Sequence, residues 1–399
     1  MKRAAHALPE ALARLESAQR RRRRATVEGF AEPGNRALVR VDGRTLIDFS
    51  SNDYLGLARH PALAAAMGAS AATAGAGSAA SHLISGHGAE HERLEEELAA
   101  FTRRERALAF STGYMANLAV MSSLAGRGER VLLDRLSHAS LIDGARLCGA
   151  ELTRFAHADA DAAERAVNED AGRTALLGTD GVFSMDGDIA PLASLARLAR
   201  RAQAWLVVDD AHGLGVVGAS GRGSLEECAV SAEDAPVLIG TLGKAFGSFG
   251  AFVAGSADLI EYLIQTARSY IYTTALPQPV AAASRAALAL AQAEDWRRTR
   301  LAALIERFRR HASEARLPLA ASRTPIQPIV LGSEAAVLAA QRELAAAGLW
   351  VAAIRPPTVP KGSARLRVTL TAAHTEAQID QLVDALGPCC ARLRESGAA

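Results

Sequence analysis

The alternation of apolar and polar positions divides the chain into short apolar runs separated by amphipathic helical segments. Between residues 46 and 285, the apolar runs are rich in Val, Leu and Ile. The runs that predict strands are residues 107–110, 130–134, 175–179, 205–209, 237–241 and 251–254. Strands that alternate with helices in this way are typical of βαβ units. The pattern therefore predicts an α/β fold with a mostly parallel sheet that is buried on both faces.

The two ends of the chain have other patterns. Residues 1–45 predict an arm, with a helix whose apolar residues are Leu8, Leu12 and Leu15 and a short hairpin around residues 42–44. From residue 286 onward, helical patterns alternate with the strands predicted at 328–331, 349–354 and 364–370, and a last helix begins near Thr375. We therefore predict an N-terminal arm (1–45), a large domain (46–285) and a small α+β domain (286–399).

Composition narrows the function classes. Hydrophobic residues make up 49% of the 399 residues, and the net charge is only +2. This balance gives no reason to expect bulk attraction to nucleic acid or membranes. The apolar stretches are shorter than the ~20 residues that a membrane-spanning helix needs. The four cysteines form no CxxC pair, which argues against a zinc site or a disulfide framework. We expect a cytoplasmic protein with no metal-ligand set.

One local exception is the run of arginines at residues 20–24. Such a run could contact nucleic acid or a membrane surface, or belong to a transit peptide. The simpler interpretation is the solvent-exposed end of the predicted first helix.

Polar residues gather directly after several of the predicted strands. The segments are residues 111–117 (STGYMAN), 137–138 (SH), 180–184 (DGVFS), 209–212 (DDAH) and 241–244 (TLGK). Ligands of open α/β sheets bind at the carboxyl ends of the strands, where the connecting loops meet. Each segment alone has an ordinary structural explanation as a cap or a turn. Together they predict one site.

The residue types at these strand ends indicate a particular cofactor. Lys244, in a glycine-containing turn, can form an imine with an aldehyde. Asp209 beside a pyridine nitrogen would hold that nitrogen protonated and make the ring a better electron sink. The helix that begins near Gly113 would present backbone N–H groups to a phosphate. This set predicts pyridoxal 5′-phosphate.

Motifs for other ligands fit this sequence less well than the pyridoxal-phosphate site does. Residues 213–218 (GLGVVG) fit the dinucleotide pattern G-x-G-x-x-G, but they come late in the chain and follow DDAH rather than a strand directly. Gly243-Lys244 is not a phosphate-binding P-loop, because Ala245 stands where Ser or Thr would bind magnesium. His87 and His91 are spaced four apart on a predicted helix face, without the second His of H-E-x-x-H. We interpret these two histidines as structural or solvent-facing.

At this point the chain resembles the α-oxoamine synthases, a branch of the fold-type I pyridoxal-phosphate enzymes. The resemblance rests on residues 49–56 (FSSNDYLG), 134–140 (DRLSHAS), 181–188 (GVFSMDGD), 208–213 (VDDAHG) and 240–247 (GTLGKAFG). It implies a seven-stranded, mostly parallel sheet domain, a small C-terminal domain, and a homodimer with active sites at the interface.

The resemblance also implies roles for individual residues. Lys244 would carry the cofactor as a Schiff base and transfer the substrate proton, Asp209 would pair with the pyridinium nitrogen, and His138 would stack on the ring. His212 and Ser184 would approach the phenolic oxygen. The other cofactor contacts would come from Gly113, Tyr114, Thr241, Thr273 and Thr274, of which the last two would reach the phosphate of the partner subunit. The substrate contacts would come from Arg22, Asn52, His138, Arg355 and Thr358.

Residues 353–360 (AIRPPTVP) are most similar to the branch that condenses L-alanine with a pimeloyl thioester, on coenzyme A or a carrier protein, in biotin biosynthesis. An acyl-carrier contact then becomes the preferred role of the arginine run. The alternative is a sister enzyme, such as 2-amino-3-ketobutyrate CoA ligase or 5-aminolevulinate synthase, that uses glycine. Asp180 and Leu214 depart from the expected pattern. A non-catalytic nucleic-acid-binding protein is the rival from another class.

Overall fold

The computed structural model describes residues 7–29, 37–170 and 172–395. Its strands are β1 (Val27–Gly29), β2 (Leu38–Val41), β3 (Arg44–Asp48), β4 (Arg106–Phe110), β5 (Arg130–Asp134), β6 (Glu151–Phe155), β7 (Thr174–Asp180), β8 (Trp205–Asp209), β9 (Val237–Thr241), β10 (Ala251–Gly255), β11 (Ile326–Gly332), β12 (Leu349–Trp350), β13 (Ala352–Ile354) and β14 (Ala364–Thr369).

The helices alternate with these strands through most of the chain. They are α1 (Leu8–Ser17), α2 (Pro61–Ala74), α3 (Ala89–Thr102), α4 (Gly113–Leu124), α5 (Ala139–Cys148), α6 (Ala160–Asn168), α7 (Leu192–Ala202), α8 (Ser224–Glu227), α9 (Ala257–Thr266), α10 (Arg268–Ile271), α11 (Gln278–Ala293), α12 (Trp296–Glu314), α13 (Glu334–Ala346) and α14 (Glu376–Glu395), with a π-helical turn at His82–Gly86. Within the described ranges, no helix is both long and apolar enough to cross a membrane.

The described residues form two compact units. The larger unit comprises residues 52–184 and 188–299, and the smaller unit comprises residues up to 51, 185–187 and from 300 onward. The three-part division with boundaries at residues 45 and 285 stays a prediction.

The larger unit contains a seven-stranded sheet in the order β4-β10-β9-β8-β7-β5-β6. β10 runs antiparallel to both of its neighbours, and the pairs from β9 to β6 are all parallel. The prediction of a mostly parallel sheet is therefore confirmed. Central strands such as β5 and β10 are buried along their whole length, as expected for a sheet that is covered on both faces.

The sequence pattern missed one strand of this sheet. β6 lies at the edge and pairs only with β5. Its sequence ELTRF is charged at two positions, and only Phe155 is buried. A half-exposed edge strand does not carry the continuous apolar signal of the central strands, so hydrophobicity alone could not reveal it.

The smaller unit contains two sheets, in the orders β1-β2-β3-β12 and β11-β14-β13. The predicted hairpin is confirmed by the antiparallel pairing of β2 with β3, and its turn places both Asp42 and Gly43 at positive φ, as a two-residue hairpin loop requires. The single strand predicted at 349–354 is wrong. β12 pairs with β3, whereas β13 pairs with β14 in the other sheet, and an apolar run gives no sign of such a change of partner.

Helices α4 and α5 pack closely on one face of the larger sheet because Gly144 has no side chain. A Cβ atom at Gly144 would lie 2.7 Å from Met121 Cβ and 3.2 Å from the Asn117 carbonyl oxygen. Gly68, in the interior of α2, has no atom within 4 Å of the same position.

We predict opposite effects of alanine at these two helical glycines. Gly144→Ala forces α4 and α5 apart and should lower the free energy of unfolding by about 1–3 kcal/mol. Gly68→Ala gains helix propensity without a clash and should raise it by about 0.5–1 kcal/mol. Urea unfolding followed by circular dichroism measures both. Equal effects of the two substitutions would show that the α4–α5 contact does not limit the stability.

Candidate active site

The polar segments that follow the predicted strands lie at one edge of the seven-stranded sheet. β4, β5, β7, β8 and β9 all run in the same direction, since β10 is antiparallel to both β4 and β9. In the register of β7 and β8, Asp180 lies directly opposite Asp209. The backbone N–H of Asp210 continues this edge by donating to the carbonyl of Ile239 on β9. The edge therefore gathers the side chains that the sequence predicted for one site.

Lys244 lies in a hydrogen-bonded chain that leads away from this edge. Its Nζ is 2.8 Å from Nε2 of His212, and Nδ1 of His212 is 2.6 Å from the hydroxyl oxygen of Tyr54. The Tyr54 hydroxyl is also 3.3 Å from Oδ1 of Asn52. Tyr54 is fully buried and His212 is nearly so.

The chemistry of the groups determines which atom donates in each of these hydrogen bonds. A lysine ammonium has donors only, so Nε2 of His212 accepts and Nδ1 carries the ring proton. His212 then donates to the Tyr54 oxygen, and the Tyr54 hydroxyl donates to Asn52. Each buried polar atom along the chain has a partner of the right kind, which fixes the tautomer of His212.

Asp209 is oriented by an amide that the sequence did not single out. Nδ2 of Asn117 donates to Oδ2 of Asp209 and to Oγ of Ser140, both at 2.7 Å. The backbone N–H of Ala211 donates to the other Asp209 oxygen at 3.1 Å. The carboxylate of Asp209 is therefore held in one orientation from two sides.

His138 belongs to the same network. Its Nδ1 is 2.6 Å from Oγ of Ser140, and because Ser140 already accepts from Asn117, the serine hydroxyl donates to the ring. Burial lowers the pKa of His138; the charge of Asp209 opposes this shift, and the charge of Lys244 adds to it. The ring is therefore held as the neutral tautomer with its proton on Nε2.

Asp180 holds the backbone of His138 in place. Its Oδ2 accepts from the His138 N–H at 2.9 Å. Burial, and next the adjacent charge of Asp209, raise the pKa of Asp180 well above its ordinary value. The hydrogen bond to Asp180 therefore sets the position of the His138 backbone.

The start of α4 presents its first backbone N–H groups at the end of β4. Thr112 caps the helix, since its Oγ1 accepts from the Met115 N–H, and a side chain at Gly113 would meet open space. Tyr114 is exposed, and its hydroxyl donates to Asp143.

Thr241 shapes the turn before Lys244. Its Oγ1 donates to the Gly250 carbonyl at 3.0 Å and accepts from the Gly243 N–H at 3.2 Å.

The glycine pattern at 213–218 has a packing explanation. The buried Asp210 accepts from the Ser224 N–H at 2.7 Å, and a Cβ atom at Gly181, Gly213 or Gly223 would overlap its carboxylate. Burial raises the pKa of Asp210 to about 7. Gly213 therefore leaves room for the Asp210 carboxyl group. Gly215 and Gly218 have positive φ, and a Cβ atom there would lie 2.8 Å from Ala245 Cβ and would overlap Glu226 Oε2, respectively. The pattern is thus accounted for without a dinucleotide.

Three further predicted cofactor ligands lie in loops. Ser184 is half-buried at the end of the segment that follows β7. Thr273 and Thr274 lie between α10 and α11, half-buried and exposed respectively.

Three of the predicted substrate ligands, Arg22, Arg355 and Thr358, belong to the smaller unit, whereas Asn52 and His138 belong to the larger one. Nη2 of Arg22 donates to Oγ1 of Thr358 at 3.1 Å, so the structure brings these two predicted residues together. Arg355 donates to the Gln19 carbonyl. Burial and the charge of Arg22 lower the pKa of Arg355, against the opposing charge of Glu334. The helix predicted before this run is confirmed as α1, but Leu8, Leu12 and Leu15 are exposed.

The expectation that His87 and His91 share a helix face is wrong. His87 precedes the Gly88 N-cap, and α3 begins after it at Ala89. His91 is buried, with Nδ1 accepting from the Gly88 N–H and Nε2 donating to the Leu276 carbonyl. Its structural interpretation agrees with these bonds.

The main residues that the sequence reasoning missed are Asn117 and Tyr54. Asn117 is the buried polar residue on α4, four positions after Gly113, so it lies on the helix face that also carries the helix start. Tyr54 lies inside the motif FSSNDYLG but has no role there until His212 is placed beside it. For Asn117 the signal was an amide side chain among the apolar residues in the first half of α4.

The donor set fits the predicted cofactor. It combines an amine, an oriented carboxylate, a planar ring and the open start of a helix, which are the groups that an aldehyde, a pyridine nitrogen and a phosphate require. Oδ1 of Asn117 and Oγ of Ser137 are buried without a hydrogen-bond partner among the described residues, so this edge also holds unused polar atoms.

Comparison with known proteins gives consistent results. The model of the family "Aminotransferase class I and II" matches residues 44–386. The 8-amino-7-oxononanoate synthase of Cellvibrio japonicus is 58% identical over 347 residues, which cover 87% of each chain. The enzyme of the same name from Alkalilimnicola ehrlichii is 59% identical over 87% of this chain and 89% of its own.

Solved structures have the same fold. A serine palmitoyltransferase from S. paucimobilis with a bound PLP–myriocin aldimine superimposes with a TM-score of 0.91 at 28% identity, covering 98% of both chains. The 8-amino-7-oxononanoate synthase of Francisella tularensis gives a TM-score of 0.76 at 32% identity, covering 88% of this chain and 98% of its own.

We predict that Tyr54→Phe destabilises the protein through the hydrogen-bonded chain. The substitution leaves the buried N–H of His212 without its acceptor, which costs about 1–3 kcal/mol of unfolding free energy. Tyr262→Phe, at a side chain that is 50% exposed, should change it by less than ~0.5 kcal/mol. Chemical unfolding of both variants tests this. A Tyr54→Phe variant as stable as the native protein would show that the hydrogen bond from His212 to Tyr54 does not contribute to stability.

Proposed function

Because the chain belongs to the aminotransferase class I and II family, and within it to the 8-amino-7-oxononanoate synthases, we propose that it condenses L-alanine with a pimeloyl thioester. The products are 8-amino-7-oxononanoate, carbon dioxide and a free thiol, and the cofactor is pyridoxal 5′-phosphate. The observation that carries the proposal is the 2.8 Å hydrogen bond between Lys244 and His212, in the turns that follow the same edge of the sheet as Asp209. The family supplies the identity of the reaction, and this geometry supplies the groups that perform it.

The cofactor, when bound, supplies an aldehyde that captures amines and a ring that accepts the electrons of a carbanion. Lys244 is the amine that holds it. With alanine in the site, the Nζ of Lys244 would remove the α-proton of alanine and would later return a proton to the product. His212 orients that nitrogen through the 2.8 Å hydrogen bond.

Asp209 lies opposite the pyridine nitrogen in this proposal and keeps it protonated. An aspartate can do so only if it stays ionised and does not rotate away. The two hydrogen bonds from Asn117 and Ala211 fix the direction of the carboxylate. His138 stacks on the ring, in the orientation that Ser140 and Asp180 impose on it.

The phosphate is bound by the start of α4 and by Thr241. Gly113 and Tyr114 contribute the first N–H groups of the helix, whose positive dipole end favours an anion. His212 and Ser184 contact the phenolic oxygen. For the substrate carboxylate, the family resemblance supplies two ligands, the amide of Asn52 and the guanidinium of Arg355.

The acyl substrate is bound by Arg22 and Thr358, which the smaller unit holds within 3.1 Å of each other. The neighbouring arginines are partly neutralised, since Arg20 pairs with Glu334 and Arg21 with Glu16. A thioester of pimelate carries a terminal carboxylate, and coenzyme A or the carrier arm carries phosphates. A guanidinium binds either group in a planar, bidentate manner.

The chain acts as a homodimer in the cytoplasm in this proposal. Thr273 and Thr274 would contact the cofactor phosphate of the partner subunit, which agrees with their position on the surface between α10 and α11. The four cysteines are free thiols, as in proteins of a reducing compartment.

The two departures from the family pattern do not alter this assignment. Leu214 is buried, and its side chain fills the space beside Gly240 and Gly223, so it packs in the core. Asp180 makes its hydrogen bond to the His138 backbone with a shorter side chain than glutamate.

We predict that Lys244→Ala abolishes turnover, because no other group in the described site can hold the cofactor covalently. The chain contains only three lysines, at positions 2, 244 and 361. Lys361→Ala, at an exposed position, is the matched control and should keep the native kcat. Thiol release, measured with a colorimetric reagent, reports the activity of both variants. Substantial residual activity of Lys244→Ala would refute the assignment of this lysine.

The substrate assignment predicts a second result. When alanine and glycine are each paired with pimeloyl-CoA, acetyl-CoA and succinyl-CoA, thiol release should be fastest with alanine and pimeloyl-CoA. A pocket that accepts one extra methyl discriminates by about 10–200-fold. Exclusive use of glycine with a short acyl-CoA would instead place the protein among the sister enzymes.

A further inference from the structure

A second charged cluster lies beside the site, formed by Asp134, His157 and Asp188. Nδ1 of His157 is 3.0 Å from Oδ1 of Asp134, and Nε2 is 3.0 Å from Oδ2 of Asp188. Asp134 ends β5 and is almost completely buried, whereas His157 and Asp188 keep about a quarter of their side-chain surface. The proposed reaction uses none of the three.

The geometry defines the protonation state of His157. A carboxylate is an acceptor only, so a ring that bonds to one carboxylate at each nitrogen must carry a proton on both. The side chain is therefore an imidazolium between two anions. The hydrogen bonds and charges of Asp134 and Asp188 raise the pKa of His157 to about 10, against the opposing effect of burial.

Each of the two aspartates holds a segment that leads into the candidate site, Asp134 through its carboxylate and Asp188 through its backbone carbonyl. Asp134 also accepts from the N–H groups of Leu136, at 2.8 Å, and Ala158, at 2.7 Å, and Leu136 lies two residues before His138. The Phe183 N–H donates to the Asp188 carbonyl at 3.0 Å. The Phe183 ring meets His157 edge-on, with centroids 4.3 Å apart, and Ser184 follows directly.

We infer that the His157 imidazolium is a positioning residue, which ties the turn that carries His138 to the segment that carries Ser184 and thereby sets the shape of the cofactor site. The inference rests on the proposed function for its cofactor, but not for the amino acid or the acyl group.

Removal of the cation alone would leave two carboxylates facing each other, one of them buried. Buried charges that lose their partner are strongly destabilising, so the two segments would separate to let water reach Asp134. His138 and Ser184 would then move, although neither contacts His157. A shift of about 1 Å in such groups can lower the rate by ~100-fold.

Two substitutions test this inference. His157→Phe keeps a flat ring but removes both donors and the charge, and His157→Gln keeps one donor group without the charge. Gly255→Ala is the control for stability alone. Its Cβ would lie 2.8 Å from the Pro236 carbonyl, at the opposite edge of the sheet, where β10 pairs with the start of β4.

The first measurement is the dissociation constant of pyridoxal phosphate, by titration of protein from which the cofactor has been removed. We expect affinity to fall ~10-fold in His157→Phe, the order of magnitude for one or two displaced hydrogen bonds. It should fall by less in His157→Gln and stay native in Gly255→Ala. Native affinity in both His157 variants would overturn the inference. Since no substrate is present, a wrong substrate assignment does not affect this result.

The second measurement is the pH dependence of unfolding, which also serves if His157→Phe does not fold. A histidine whose pKa is raised in the folded state contributes its full stabilisation below its unfolded pKa of about 6.5 and loses it as the pH rises toward about 10. The urea midpoint of the native protein should therefore fall over this range more steeply than that of His157→Gln. Parallel curves would overturn the inference.

Discussion

The parallel register of β5, β7, β8 and β9 is the constraint on which the rest of the site depends. It places Asp180 opposite Asp209, and it brings the turns after β5 and β9 to the same edge. Because every strand in this group ends at that edge, side chains far apart in sequence come within hydrogen-bonding distance. A one-residue slip of β8 would turn Asp209 to the other face of the sheet and separate it from Asn117.

The concentration of charge at this edge is stabilised by partners of defined direction. Asp209 accepts from an amide and a backbone N–H, Asp210 is enclosed by glycines, and Asp134 lies against His157. Lys244 and His212 complete the set through Tyr54. The fold therefore positions an amine and a carboxylate at one edge of the sheet, in a region where unpaired charges would be costly.

The sequence predicted much of this arrangement, and its failures have physical causes. The central strands and the polar residues after them could be predicted, because apolar runs and their ends are local features of the sequence. The edge strand β6 could not be predicted, and neither could the separation of β12 from β13 at Val351, because both depend on which strands pair with each other. Asn117 and Tyr54 were missed for a related reason: their roles exist only once Asp209 and His212 are placed beside them. The family relationship, confirmed by the relatives, supplied the reaction and the expected roles of the cofactor ligands, but not the contacts of Asn117 and Tyr54.

The central claim is that Lys244 is the amine that holds pyridoxal phosphate, and one measurement tests it directly. The protein is loaded with the cofactor and reduced with sodium borohydride, which fixes a bound aldehyde to its lysine as a stable secondary amine, and the peptides are then mapped by mass spectrometry. Since the chain has only three lysines, each can be followed separately. We predict stoichiometric label on the peptide of Lys244 and none on those of Lys2 and Lys361. Label on Lys361 instead, or no label on a saturated protein, would contradict the account.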